Sequence, residues 1–558
     1  MKEDLIKVTF SENETLIISE ETKLFELAPK FQRNFKTTIV AAKVDNVLRE
    51  LTYPLNISSN VEFIDLTDPD GMLVYSRSVC FLLIKAFHDL FPEKEILISH
   101  SISRGLFCEM EDNTSMTQED VVKIEARMRQ LVKDKRPFVK KTLSLDEAME
   151  IFKKMNRMDR FHVIEHRKKP YVTIYNCDGF EDYFYGYMVP DTGYLDLFAL
   201  KHYRHGLVLQ LPQKINPVIL PEYQPNDRVF NILIENKRWE SILGVENVGT
   251  LNDIVVSEKI HDLLRVNEAL HEKKIANIAD MITSELPKKR IVLVAGPSSS
   301  GKTTFSQRLS IQLRVNGLRP IIISLDDYFV DREHTPKDEN GDYDFEAFEA
   351  LDIKLFNEHL LALLNGEPVN IPIFNFHTGN RKKDEWRRIT IDADHPLIIE
   401  GIHGLNPNLI SSVPEEYRFK IYISPMAALN IDNHNRIPTT DIRLLRRTVR
   451  DFQFRGSSAL NSIERWPSVR RGEEKNIMPY QNEADIMFNS SLMYELGVLK
   501  PLAETLLSQI TADYPEYSEA RRLIEFLSYF LPIDSNEIPF NSILREFIGG
   551  SCFYDDHK

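Results

Sequence analysis

Residues 296–304 read Gly-Pro-Ser-Ser-Ser-Gly-Lys-Thr-Thr and stand directly behind the apolar run Ile291, Val292, Leu293, Val294, Ala295. This is a G-x-x-x-x-G-K-T phosphate loop in its required setting, with a buried strand in front and a helix-forming stretch behind. The spacing has a physical cause. Gly296 and Gly301 let the backbone wrap an anion while loop amides point at it. Lys302 carries a mobile positive charge to the β- and γ-phosphates, and the Thr303 hydroxyl can ligate Mg²⁺. The candidate nucleotide contacts are therefore Gly296, Pro297, Ser298, Ser299, Ser300, Gly301, Lys302, Thr303 and Thr304. A chance Gly/Ser turn would not need those flanks. The motif implies a bound nucleoside triphosphate, with ATP and Mg²⁺ as the expected cofactors.

A chain of 558 residues is too long for one core, so three or four domains are expected. The net charge of −15 argues against a surface built mainly to hold nucleic-acid backbone. Cys80, Cys108, Cys177 and Cys552 are widely spaced, with no C-x-x-C pair, and read as reduced thiols of a cytoplasmic protein. The N-terminal Met-Lys-Glu-Asp-Leu-Ile has acids where a signal peptide is apolar, and no run is long enough to span a membrane.

Along the chain, residues 1–65 alternate short β-type runs with a helical patch at 24–31, the pattern of a small β-grasp module. Over 66–225 an α+β pattern follows, with an amphipathic helix expected at 80–92 and further helices at 118–135 and 145–155, the last opened by a Ser144/Glu147 capping box. Residues 226–286 read as a linker carrying a long helix over 257–285, where a plain connector is the simplest reading. From 287 to 490, buried strands alternate with helical patterns, which predicts an α/β domain with a parallel, doubly wound sheet. Residues 491–558 form a helical extension. Its Gly549-Gly550-Ser551 reads as a helix stop, with reach to another site as the other reading.

Three segments add chemistry to the phosphate loop. Ile322-Ile323-Ser324-Leu325-Asp326-Asp327 places Asp326 at a strand's carboxyl end, where it could take the proton from an acceptor hydroxyl. A Mg²⁺ site or a solvated turn are the alternatives there. Glu400 ends the strand-like run 396–399 and suits Mg²⁺ support, with a solvated strand end as the alternative. Arg443, Arg446, Arg447 and Arg450 fall on nearby faces of one helix, which suits either a solvated face or a lid that neutralises phosphoryl charge.

Taken in order, the phosphate loop, Leu-Asp-Asp-Tyr-Phe at 325–329, Tyr343 to Glu346, Pro372 to Phe376, Glu400-Gly401-Ile402 and the 441–456 stretch resemble the uridine kinase and phosphoribulokinase family. The resemblance covers about residues 287–490. It implies Asp326 as catalytic base, Glu400 with Thr303 as the Mg²⁺ residues, and Arg443, Arg447, Arg450 and Lys302 as catalytic cations. It further implies an acceptor pocket formed by Asp326, Tyr328, Glu346, Phe374, Asn375, His377, Arg381 and Arg455. The departures lie in that pocket. Uridine kinases usually carry Asp at Glu346, Tyr and Asp at Phe374 and Asn375, and a base-reading His at Gly379. The implied substrate is a small-molecule hydroxyl acceptor, a nucleoside or sugar, with uridine itself unsupported.

Residues 1–225 resemble the N-terminal half of threonyl-tRNA synthetases, a TGS-type module followed by an editing domain. The matching stretches include Val74 to Ser78, Gly105 to Cys108 and Thr117 to Met128. The family's His-x-x-x-His and Cys-x-x-x-His positions are Arg77, Phe81, Phe184 and Met188 here, which cannot assemble a Zn²⁺ shell. His100, His162, His166, His202 and His205 are the remaining histidines that would have to regroup. This half reads as a scaffold without hydrolytic editing, open to RNA contact, small-molecule binding, regulation or a homo-oligomeric structural role. The leading reading of the whole is a kinase; the alternative is an ATP-switched, tRNA-binding regulator.

Overall fold

A computed structural model describes residues 5–10, 14–338, 341–392 and 395–554. Residues 1–4, part of the N-terminal stretch weighed above, lie outside the described set. The chain groups into two units, one of Met1–Val256 with Leu429–Pro438 and Leu507–Leu531, the other of Ser257–Ala428, Thr439–Leu506 and Pro532–Lys558. The kinase-like stretch is thus interrupted at 429–438, and the C-terminal extension divides between the units.

The first unit begins with a five-stranded sheet in the order Thr15–Ser19, Leu5–Phe10, Ser59–Ile64, Ala41–Val44, Val47–Glu50. Its parallel central pair and the covering helix Leu24–Phe31 give the expected β-grasp arrangement. Phe10, Phe31 and Phe63 form its stacked core. The next helix, Pro69–Leu90, starts well before residue 80, because Asp68 caps it and Pro69 pre-sets its first turn. It is also not amphipathic. Every residue from 78 to 87 is buried, so the apolar run at 80–87 marks the middle of a core helix. A four-stranded sheet (Ala199–Tyr203, Gly206–Gln210, Gly105–Met110, Ile96–Ile102) and a three-stranded sheet (Val139–Ser144, Tyr171–Cys177, Phe180–Tyr183) complete the α+β part. The Ser144/Glu147 capping box forms as expected.

Three of the four positions that would be metal ligands in editing domains serve the core instead, and the fourth, Arg77, is half-buried. Phe81 is fully buried and meets Phe138 edge-on, with Phe184 5.8 Å away, and Met188 lies in the same cluster. Of the histidines, only His162 and His166 share a partner among the described residues. His205 meets Glu109, His202 the Met116 carbonyl, and His162 and His166 both reach Asp253. Burial pushes His100 down to about 4, which favours its neutral form.

The second unit is built on five strands in the order Ile321–Ser324, Leu397–Glu400, Ile291–Ala295, Arg418–Ser424, Ile486–Asn489, all parallel. The chain steps from the central strand outward to Ile321–Ser324 and then returns across the sheet. With right-handed crossovers, that reversal puts helices on opposite faces, a doubly wound sheet. Helix Ile260–Ser284, expected at 257–285, is more than a connector. It buries Ile275, Ile278, Ala279 and Ile282, and its Glu272 receives the buried Arg308 of the helix behind the phosphate loop at 2.7 Å. Residues 226–256, expected as linker, form two further helices, Asp227–Leu243 and Val248–Val256. Among the described residues no helix is long and apolar enough to cross a membrane.

Replacing Phe81 by Ala should cost ~3–5 kcal/mol through lost burial and a residual cavity. The check is a lower midpoint in urea unfolding followed by near-UV circular dichroism; Phe81→Leu, closer in volume, should recover most of it.

Candidate active site

Strand Ile291–Ala295 is buried along its whole length and delivers the chain to Gly296. A Cβ there would sit 2.0 Å from the Ile423 carbonyl oxygen of the neighbouring strand, so only glycine permits this exit. The loop then turns through Ser299 at φ 60° and Gly301 at φ 84° into helix Lys302–Val315. Lys302 Nζ donates to the Pro297 carbonyl at 3.1 Å across the loop. The hydroxyls of Ser299 and Ser300 are buried without partners among the described residues, polar groups still open to an anion.

Asp326 and Glu400 stand at the carboxyl ends of adjacent strands, and the Glu400 carboxylate is the junction. It accepts from Ser324 Oγ at 2.6 Å and from Thr303 Oγ1 at 3.4 Å. Burial raises Glu400 to about 7, the nearby Asp326 charge pushes the same way, and Lys302 opposes. Thr303 and Glu400 are thus brought together as hard oxygen donors that suit Mg²⁺. A raised carboxyl short of cations, facing a threonine hydroxyl, is the environment a divalent ion would relieve.

The arginines divide into two sets, both on helix Thr439–Arg455. Arg443 is 1% exposed and bound to Glu473, and its Nε donates to the Ser298 carbonyl at 2.9 Å. Arg446 is fully buried on Glu495 and Ser490. These two fasten the phosphate loop from behind, so the expectation of Arg443 as part of a mobile lid is corrected: a guanidinium sealed against Glu473 has no exit. Arg447 differs. Its Nη1 donates to Ser298 Oγ at 3.1 Å, and its Nε lies 3.3 Å from Asp451. Asp451 also receives Arg450 at 2.7 Å and Arg455 at 3.6 Å. Although burial opposes it, these three guanidinia hold Asp451 at about 2. Arg450 and Arg455 also feel the Asp326 charge, which places them around the candidate base.

The expected acceptor residues separate in the same way. Glu346 faces the site. Its Oε2 is buried without a hydrogen-bond partner, and Gly472 makes room, since a Cβ there would approach Glu346 Cβ to 2.3 Å. Burial and the charge of Glu473 raise Glu346 to about 7, opposed by Arg447, Lys302 and Arg443. Phe374 meets Phe329 at a tilt and Phe376 edge-on, and Arg455 lies over the Phe376 ring at 4.3 Å. His377 is exposed beside Gly456. Three assignments are corrected. Tyr328 is fully buried, its hydroxyl on His359 and its ring edge-on to Phe356, so it belongs to the core. Arg381 clamps the carbonyls of Tyr328 and Phe329 and pairs with Asp352, which positions the Asp326 turn. Asn375 Oδ1 accepts from the His377 and Thr378 amides and holds a hairpin turn.

Glu546 was not visible as a site residue. From 242 positions downstream, its Oε2 accepts from the Thr304 amide at 3.1 Å and from Thr304 Oγ1 at 2.8 Å, at the N-terminus of the phosphate-loop helix. Tyr554 OH lies 3.3 Å from the same hydroxyl, and Ile543 packs against Gly301. The glycines at 549 and 550, both at positive φ, turn the chain so that Tyr554 returns to the loop. The sequence signal is the Gly549-Gly550 pair: Gly549 ends helix Arg545–Ile548 as a glycine stop, and the chain beyond it also reaches the loop through Tyr554.

Residues 291–493 match the model of the phosphoribulokinase / uridine kinase family. The threonine–tRNA ligase of Fusobacterium nucleatum subsp. nucleatum is 32% identical over 180 residues, 32% of this chain and 29% of that enzyme. The chain spans about a third of the length of the curated relatives it matches. Among solved structures, a protein of Bacillus stearothermophilus described as a possible uridine kinase aligns at 19% identity and TM-score 0.26, over 39% of this chain and 98% of that one. The phosphoribulokinase of Rhodobacter spheroides aligns at 19% and 0.24, over 36% and 70%. Scores of that size carry no argument, and the fold rests on the sheet order and loop described above. Residues 291–493 are a domain of the phosphoribulokinase / uridine kinase family, behind an N-terminal half similar to threonine–tRNA ligases.

Proposed function

We propose that the chain is an ATP- and Mg²⁺-dependent kinase that moves the γ-phosphoryl group to a hydroxyl of a nucleoside or related sugar. The observation that carries this reading is the meeting of Thr303, Glu400 and Asp326 at the mouth of the phosphate loop, with Arg450 and Arg455 close enough to feel the Asp326 charge and Arg447 on the loop's Ser298 hydroxyl. Bound Mg²⁺ would be held by Thr303 and Glu400 and would neutralise charge on the β- and γ-phosphates. Asp326 takes the proton from the acceptor hydroxyl as the phosphoryl group leaves. Lys302 and the Arg447–Arg450 pair meet charge on the transferring group, while Arg443 keeps the loop in shape. Glu346 accepts hydrogen bonds from the acceptor, with Phe374 as an apolar wall. Arg381 and Asn375 act through the segments they hold.

The alternative reading, an RNA-binding regulator, has no comparable constellation behind it. The test that separates them is ATP consumption with Mg²⁺ across nucleosides, pentoses and polyols, where acceptor-dependent turnover is expected.

Three outcomes follow. Asp326→Asn should keep nucleotide binding and lose roughly 10²–10⁴ of turnover, as measured by single-turnover kinetics; full activity would remove Asp326 from the role of base. Glu346, raised to about 7, takes up its proton as pH falls below that value and then accepts fewer hydrogen bonds. The acceptor KM should therefore rise between pH 7.5 and 6 in the wild type, while Glu346→Gln starts from a high KM and stays flat. Glu546 competes with nucleotide phosphate for the Thr304 donors, so Glu546→Gln should tighten ATP binding by about tenfold, the size of one charge-assisted hydrogen bond. Calorimetric titration showing equal or weaker affinity would mean the carboxylate helps the nucleotide.

A further inference from the structure

A cavity of about 360 Å³ opens in the first unit, and none of its lining residues belongs to the phosphate loop. Seven cationic side chains line it against two carboxylates, Asp70 and Glu525, in a chain whose net charge is −15. Such a concentration against the overall charge needs a physical account.

Three of the cations, Arg49, Arg77 and Arg521, pair with no carboxylate among the described residues. They are held instead by tyrosine rings, Arg49 over Tyr53 at 4.6 Å, Arg77 over Tyr185 at 5.6 Å and Arg521 over Tyr517 at 5.6 Å. A ring face fixes a guanidinium through its quadrupole and leaves the net charge uncancelled. Lys140, Arg167 and Lys169 also lie over tyrosines, but each meets a carboxylate too, Glu50 or Glu525. Two buried donors, Arg49 Nε and Arg167 Nε, have no hydrogen-bond partner among the described residues. Gly186, at φ 106°, completes the arrangement. A Cβ there would come within 2.6 Å of the Arg77 guanidinium, so glycine lets that group lie against the backbone while donating to the Tyr187 carbonyl at 2.7 Å.

We infer that this cavity is a binding site for a small molecule bearing a diphosphate, of the nucleoside di- or triphosphate class. Three uncompensated guanidinia match two to three negative charges, and their planar forks suit phosphate oxygens. The volume exceeds that of pyrophosphate and leaves space beside Tyr183 and Phe184 for an organic group. A polynucleotide is disfavoured, because it would need a continuous basic track, whereas here three arginines without a carboxylate partner converge on one cavity of an acidic chain.

The test uses the full chain carrying Lys302→Ala, which weakens phosphate binding at the kinase loop, and titrates it calorimetrically with inorganic pyrophosphate, GDP and ATP. One site is expected. Arg77→Ala should weaken it at least tenfold, and Gly186→Ala should do the same by displacing the guanidinium with its charge intact. Arg521→Ala changes an exposed side chain, so it keeps the test valid should Arg77→Ala fail to fold; a severalfold loss is expected there. Nucleotides binding more tightly than pyrophosphate, or equally, both support a diphosphate site and tell apart a nucleoside ligand from the inorganic anion. Absence of binding, binding untouched by Arg77→Ala and Arg521→Ala, or binding confined to a single-stranded RNA probe would overturn the proposal. No step requires phosphotransfer, so a failure of the kinase reading leaves this result standing.

Discussion

The second unit is organised around one electrostatic problem. A phosphate loop gathers the positive end of helix Lys302–Val315, Lys302 and a row of arginines into one small volume. Without anions, those charges would repel and pay heavily for leaving water. The chain supplies carboxylates of two kinds. Glu473 and Glu495 are fully buried on Arg443 and Arg446, and breaking either pair would leave a stranded charge at a cost of about 3–5 kcal/mol. They are permanent parts of the wall. Among the described residues the Glu546 carboxylate accepts hydrogen bonds only from the backbone and hydroxyl of Thr304, groups that a phosphate satisfies equally well. It is a replaceable anion, and the division between fixed and replaceable carboxylates decides where substrate charge can enter.

The same division explains the site's two raised carboxyls. Glu400 and Glu346 are both near 7, chiefly because they are buried, with like charges adding to the effect. Neither has a guanidinium committed to it. Burial without a dedicated cation keeps each group ready for a partner that arrives from outside, a metal ion for one and acceptor hydroxyls for the other. Asp451 is the contrast, drawn down to about 2 by three arginines and therefore spent on holding them.

Much of this was readable from the chain. The apolar run, the two loop glycines and the acids at strand ends follow from local rules, and the structure brings Thr303, Asp326 and Glu400 together. What local rules could not supply was partnership at long range. Arg443 looks like a lid residue until Glu473, thirty residues on, is seen to enclose it. Tyr328 and Arg381 lie in the right segments, but burial turns one into the core and the Phe329 carbonyl captures the other. The apolar pattern misplaces the start of helix Pro69–Leu90 for a related reason. Its start is set by a single cap at Asp68, whereas the apolar run draws the eye to its centre.

The two units also show two ways to hold a cation in place, with different electrical results. In the kinase-like unit most arginines rest on carboxylates, so the wall is nearly neutral and the field at the loop comes from Lys302, the amides and the Arg447–Arg450–Arg455 group. In the first unit Arg49, Arg77 and Arg521 rest on tyrosine faces. A tyrosine gives a guanidinium position at about 0.5–2 kcal/mol without cancelling its charge. The loss of metal-ligand chemistry at Arg77, Phe81, Phe184 and Met188 therefore did not leave an inert remnant. Phe81, Phe184 and Met188 went to the core, while Arg77, half-buried against Gly186 and lacking a carboxylate, kept a full positive charge in the cavity wall.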